Sequence, residues 1–156
     1  MQKAEKMQAL REFAAEIRVE TLKTIGSLGF GHVGGSMSIV EAMAVLYGDV
    51  MKVDPKNPRW EGRDWCVLSK GHAGPCAYAT LALKGFDDLE LTRTLNKPAT
   101  NFPSHTDRTK TPGVDLTTGS LGQGMSTATG AALGHKLDGK DNRVFVFVGD
   151  GECDEG

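Results

Sequence analysis

The chain has 156 residues, with 18 Lys and Arg against 20 Asp and Glu and a formal net charge of −2. That length suits one domain with a core of its own, here expected over residues 1–156. Balanced charge offers no basic face to nucleic acid, and no apolar run is long enough to span a bilayer, so neither partner is expected.

The first 20 residues, MQKAEKMQALREFAAEIRVE, are charged and helix-patterned, with no apolar core or cleavage site for export. Leu10, Phe13, Ala14, Ile17 and Leu22 fall near one helical face, and Gly26, Gly29 and Gly31 are expected to end that helix. Ser38-Ile39-Val40-Glu41 reads as a capping box opening a second helix, EAMAVLYGDVM, which Asp54-Pro55 closes. Cys66-Val67-Leu68 is a short strand. Ala77 to Leu83 reads as a helix stopped by Gly85, and Asp87-Asp88-Leu89-Glu90 starts another. Asn96 to Val114, rich in Pro, Thr and Asn, is expected to be an ordered loop. Gly124 to Leu137 looks helical, and its many Ala, Gly, Ser and Thr residues imply close packing on a neighbour. Arg143 to Val148 is the final strand and reads as fully buried. Helices alternating with short apolar strands predict an α/β layer structure with a parallel sheet, although two strands are few for a finished one. Cys66, Cys76 and Cys153 match neither a disulfide framework nor a zinc site, which predicts reduced thiols and a cytoplasmic protein.

Two patterns mislead. Gly29-Phe30-Gly31-His32-Val33-Gly34 spells G-x-G-x-x-G with Asp54 downstream, but a dinucleotide fingerprint follows a strand, and the preceding segment has helical period. Asp150, Glu152 and Asp154 alternate like the start of a calcium loop, which ought to follow a helix rather than a strand.

The histidines carry more. His32, His72 and His105 each sit in a loop bearing Gly or Pro: GFGHVGG, LSKGHAGP and FPSHTDRTKTPGVD. Each alone is most simply a surface or hydrogen-bonded residue; three together point to a polar pocket. His72 follows the strand at its C-terminal end, where open α/β sheets bind ligands. His135, inside the Ala-rich helix, is expected to be structural or exposed. Gly119-Ser120-Leu121-Gly122-Gln123-Gly124 offers backbone groups ahead of a helix. In Gly149-Asp150-Gly151 a carboxylate between glycines can hold a hard cation while amides meet phosphate oxygens.

In this order, GFGHVGG, LSKGHAGP, SHTDRTKTPGVD, TTGSLGQG and VFVGDGECDEG resemble the diphosphate-binding half of transketolases, across nearly the whole chain. The chain is most similar to the N-terminal subunit of transketolases split into two polypeptides. The resemblance implies a thiamine diphosphate-binding domain of the PP type, a parallel sheet flanked by helices that is incomplete at its C-terminus. It implies thiamine diphosphate with Mg²⁺ (or Ca²⁺ or Mn²⁺) and transfer of a two-carbon ketol unit from a ketose phosphate to an aldose phosphate. Asp150 would be a metal ligand and Gly151 would meet the diphosphate. The Asn that ends the family's longer motif lies beyond Gly156, so the chain is expected to be truncated, aggregation-prone or oligomeric when alone.

By the same resemblance His32 and His105 line the thiazolium and bind the donor sugar, and His72 contacts the diphosphate region. Gly119, Ser120 and Leu121 meet the aminopyrimidine, and Glu155 joins a carboxylate cluster at an interface. Val33 stands where Pro is common and Lys110 where many members carry His, which leaves the sugar open. The glutamate for the cofactor's proton relay would come from a pyrimidine-binding partner subunit, in a heterotetramer. The alternatives are a truncated half that only binds its partner, and a 1-deoxyxylulose phosphate synthase-like enzyme, against which GSLGQG and TPGVD weigh.

Overall fold

The structure, a computed structural model, describes residues 3–155; residues 1, 2 and 156 of the expected domain lie outside the described residues. The segment GPCAYATLAL is small or apolar on every side, and a helix of that kind must be enclosed. Helix α4 (Gly74–Leu83) is accordingly buried from Gly74 to Ala82, with Pro75 in its first turn, where no amide is needed. Against it pack α1 (Lys3–Leu28) and α3 (Val40–Val45), supplying Ala14, Ile17, Val40, Met43 and Ala44 to the core. The first helix ends at Leu28, just before Gly29 (φ +85°), one of the three glycines expected there, and reaches it by running through Gly26. Thr24 and Ile25 are buried just before that glycine, and such packing outweighs a helix-propensity cost of about 1 kcal/mol.

The expected capping box does not form. Ser38 instead closes a short helix, α2 (Val33–Met37). Its hydroxyl donates to the Gly35 carbonyl (3.0 Å) and accepts from Lys70 Nζ (2.8 Å), while Glu41 pairs with Arg18. Lys70 competes successfully for the oxygen that would have capped α3, which begins without a side-chain cap. Beyond α3 the helix widens into a π turn, Leu46–Val50. Asp88 behaves as expected, accepting from the Glu90 amide (2.9 Å) to start the 3-10 turn Leu89–Thr94.

Strands β1 (Trp65–Leu68) and β2 (Val144–Phe147) pair in parallel, with Cys66 opposite Phe145 and Leu68 opposite Phe147. Side chains alternate across a strand: Cys66 and Leu68 enter the α1–α3–α4 core. Trp65 turns the other way, its ring meeting His135 of α5 (Gln123–Leu137) edge-on at 5.0 Å. This is the expected parallel α/β layer structure. β2, read as fully buried, is half-buried at all four positions, since β1 is its only strand neighbour among the described residues. Phe145 and Phe147 line an open apolar cleft with Val45 and Leu46. Among the described residues no helix is long and apolar enough to cross a membrane. All three cysteines are free.

Two buried carboxylates fix where the strands start. Asp64 accepts from the amides of Lys52 and Arg143 (2.9 Å each) and from Arg143 Nη2 (2.5 Å). Burial alone would raise the Asp64 carboxyl, but these hydrogen bonds and the Arg143 charge hold it below its ordinary value. Asp115 accepts from the Cys66 amide (2.8 Å) and pairs with buried Arg63. We predict that Asp115→Ala, which strands that guanidinium, lowers stability by about 3–5 kcal/mol in chemical denaturation. A loss below about 1 kcal/mol would mean the pair behaves as a solvated one.

Candidate functional site

Three loops deliver imidazoles to the C-terminal end of β1. His72 comes from a one-turn 3-10 helix, Gly71–Ala73, directly after the strand and ahead of α4. His32 stands at the start of α2, in the turn that leaves α1. Its ring centroid lies 5.0 Å from that of His72 and 6.2 Å from that of His105.

His105 is held by its neighbours. Thr106 and Thr118 share a hydroxyl hydrogen bond of 2.7 Å, and the Thr118 hydroxyl donates to the Leu68 carbonyl at 2.5 Å. The following residue, Gly119, has φ +151°, and a Cβ there would lie 3.1 Å from the His105 ring. A side chain at Gly35 would meet the His72 ring at 2.9 Å. Glycine at both positions therefore lets backbone close around the imidazoles. The expected loop over Asn96–Val114 is ordered for physical reasons. Phe102 is buried edge-on to Tyr78 (5.3 Å), Tyr78 OH donates to the Pro103 carbonyl (2.7 Å), and Asn96 accepts from the Ser104 amide (2.9 Å).

His32 and His105 are exposed, whereas His72 is half-buried. Burial, then the charges of His32, Lys70 and His105, hold the His72 imidazole below its ordinary value, with Glu152 opposing them. A lowered value favours the neutral imidazole, which can both donate and accept a hydrogen bond.

Asp150 lies after β2, exposed, at the entry to a 3-10 turn, Gly151–Asp154. Nothing lies within 4 Å of a Cβ built on Gly151. Ser120, Leu121, Gln123 and Glu155 line an open cleft of about 490 Å³. The Glu155 Cβ comes within 3.1 Å of where a Gly122 Cβ would be.

The buried acid of this end is neither of the two singled out from the sequence. Glu152 is 4% exposed. Its Oε1 accepts from the Ser69 hydroxyl (2.5 Å) and the Gly122 amide (3.0 Å), and its Oε2 from the Gly149 amide (2.9 Å). Burial would raise the Glu152 carboxyl, but these three donors and the nearby His72 lower it. Glu152 thus faces inward, which removes the calcium-loop reading. The 26-residue helix before GFGHVG likewise removes the dinucleotide reading.

The donor set has a definite character. Among the described residues no group of three His, Cys, Asp or Glu could hold a metal ion. One exposed carboxylate, Asp150, next to an open Gly151, fits an ion whose other ligands are phosphate oxygens and water, and does not make a cage of its own. Three clustered imidazoles beside glycine-lined backbone can offer hydrogen bonds to a polar ligand.

Comparison with known proteins decides the family. The sequence profile of the family described as "Transketolase, thiamine diphosphate binding domain" matches residues 10–156. The chain belongs to the transketolase family. A 6-deoxy-6-sulfo-D-fructose transketolase subunit of Clostridium sp. (strain MSTE9) is 56% identical over 147 residues, covering 94% of this chain and 54% of that protein. A subunit of the apulose-4-phosphate transketolase of Phocaeicola vulgatus is 40% identical over 81% of this chain and 44% of that one. The crystal structure of a transketolase mutant from Pichia stipitis superposes with a TM-score of 0.90 at 29% identity, over 96% of this chain and 24% of that one. The chain therefore spans about half the length of these two subunits and about a quarter of the Pichia transketolase.

The transketolase motifs fall in two neighbouring groups. His32, His72 and His105 form one, with Gly119 against His105; Ser120, Leu121 and Glu155 form the other. Ser69, Thr118 and Glu152 were missed. Ser69 lies inside LSKGHAGP and Thr118 inside TTGSLGQG, but nothing in a motif tells a ligand contact from a brace. His135 is structural, packed on Trp65.

Proposed function

We propose that the chain is the diphosphate-holding part of a thiamine diphosphate-dependent transketolase, completed by a pyrimidine-binding partner subunit in a heterotetramer. Its reaction is transfer of a two-carbon ketol unit from a ketose to an aldose. When bound, the cofactor supplies the nucleophilic carbon and electron sink that cleavage beside a carbonyl requires. In this reading His32 and His105 donate hydrogen bonds to the donor's carbonyl oxygen as it gains charge. His72 orients the diphosphate end. Gly119, Ser120 and Leu121 border the aminopyrimidine, Asp150 ligates Mg²⁺, Gly151 meets the diphosphate, and Glu155 belongs to a subunit-interface carboxylate group.

The observation that most supports this is the convergence of three imidazoles at the C-terminal end of β1 in a transketolase-family chain. The donor is a ketose with an anionic far end: a phosphate or, following the name of the Clostridium relative, a sulfonate. The test is calorimetry with thiamine diphosphate and Mg²⁺ on the co-expressed two-subunit complex, followed by aldose release from phosphorylated and sulfonated ketoses. Mg²⁺-dependent binding and ketol transfer support the reading. A complex that binds NAD without Mg²⁺, or that binds no thiamine diphosphate, overturns it.

A further inference from the structure

Glu152 lies two residues from Asp150, yet it is turned into the protein and assigned no part in the chemistry. Three segments meet on its carboxylate. The Ser69 hydroxyl comes from the end of β1, the Gly122 amide from the GSLGQG loop, and the Gly149 amide from the end of β2. Ser69 does double duty: its oxygen also accepts from the Met125 amide in the first turn of α5 (3.1 Å), while its own amide donates to the Phe147 carbonyl (2.9 Å). One buried ion thus ties the GDG turn to the two loops proposed to hold the rest of the cofactor. Lys70 flanks the same turn, its Cδ 3.8 Å from where a Gly149 Cβ would lie.

This arrangement constrains the turn more than Asp150 does. Asp150 is exposed, and the 3-10 turn behind it is four residues long. A turn so short cannot hold a surface carboxylate by itself, because its few hydrogen bonds scarcely exceed the entropy of ordering it. Glu152 Oε2 closes the turn on the Gly149 amide, and Oε1 anchors it to Ser69 and Gly122. From this we infer that Glu152, seated on Ser69, is a positioning residue that sets the place of Asp150 relative to the three imidazoles, and so tunes how tightly the site holds its divalent cation. The inference rests on the proposed cofactor site. It concerns a residue that contacts neither the metal nor the cofactor.

The chemistry of the carboxylate gives a graded test. All three partners donate, so both oxygens must be acceptors. Glu152→Gln places an amide N–H against at least one donor; Ser69→Ala removes one donor and keeps the ion. The two-subunit complex is titrated with Mg²⁺ at saturating thiamine diphosphate, with binding read by calorimetry and thermal midpoint by circular dichroism. Hydrogen bonds to a buried ion are the strong ones, so Glu152→Gln should raise the Mg²⁺ half-saturation about 10-fold or more, and Ser69→Ala several-fold less. The kcat at saturating metal should move little, since no reacting group is lost. An unchanged Mg²⁺ half-saturation in both variants overturns the inference, even if their thermal midpoints fall, because a merely structural brace would give that result. Should Glu152→Gln fail to fold, Ser69→Ala decides on the same readout. If the unmodified complex binds no thiamine diphosphate, the functional reading itself fails and takes this one with it.

Discussion

In the proposed two-subunit transketolase, His32→Ala and His105→Ala are each expected to lower kcat by about 10²-fold or more. An imidazole that donates to a carbonyl oxygen matters most once that oxygen carries negative charge, so its removal is felt in the transition state rather than in ground-state binding. The two rings suit that task by position. Both are exposed, and their centroids lie 6.2 Å apart. Gly119 lets the backbone close on His105 while Thr118 ties the loop to Leu68, which limits where the ring can go. His72 differs. It is half-buried, held below its ordinary titration range and pressed on Gly35. Its replacement by Asn should therefore weaken thiamine diphosphate binding more than it slows turnover. Steady-state kinetics with the cofactor titrated separately from the ketose distinguishes the two behaviours. Unchanged kcat in both His32→Ala and His105→Ala would remove their assigned role.

The gathering of the three imidazoles was legible because the sequence marks each of their loops locally. Glycine or proline around each imidazole marks a loop, and the strand before His72 places it at a sheet end. The same locality explains what was missed. Ser38 and Glu41 have the spacing of a capping box, but the Ser38 hydroxyl goes to Lys70, 32 residues away, a competitor that no helix signature contains. In the sequence Glu152 stands out only as one of three alternating acids; its partners Ser69 and Gly122 lie 83 and 30 residues away. The apolar run of β2 predicted a fully buried strand, yet burial depends on what lies beside it, and only β1 pairs with it among the described residues. Local patterns thus carried elements and loops, while the polar braces between segments depended on tertiary proximity.

Those braces depend in turn on how closely α5 approaches β1, and a methyl group tests the approach. A Cβ on Gly124 would lie 2.6 Å from the Ser69 Cα and Oγ and 2.8 Å from its Cβ. Ser69 cannot yield easily, since its amide is tied to the Phe147 carbonyl at 2.9 Å and its hydroxyl to Glu152. The start of α5 must lift instead, breaking the Met125–Ser69 and Gly122–Glu152 hydrogen bonds together. Overpacking of this kind costs about 1–3 kcal/mol, and the two lost bonds add about 1 kcal/mol each. Gly124→Ala is therefore expected to destabilise the protein markedly in chemical denaturation and to weaken cofactor binding as the GSLGQG loop moves. Gly130 and Gly134 lie on the same helix with nothing within 4 Å of a built Cβ. There the same substitution should stabilise by about 0.5–1 kcal/mol, because alanine is the better helix former. Opposite signs at Gly124 and Gly130 would establish that contact with β1, rather than helix propensity, governs the first turn of α5. Equal effects at the two positions would mean that α5 stands farther from Ser69 than the structure has it, and the coupling of the GDG turn to the GSLGQG loop through Ser69 would fall.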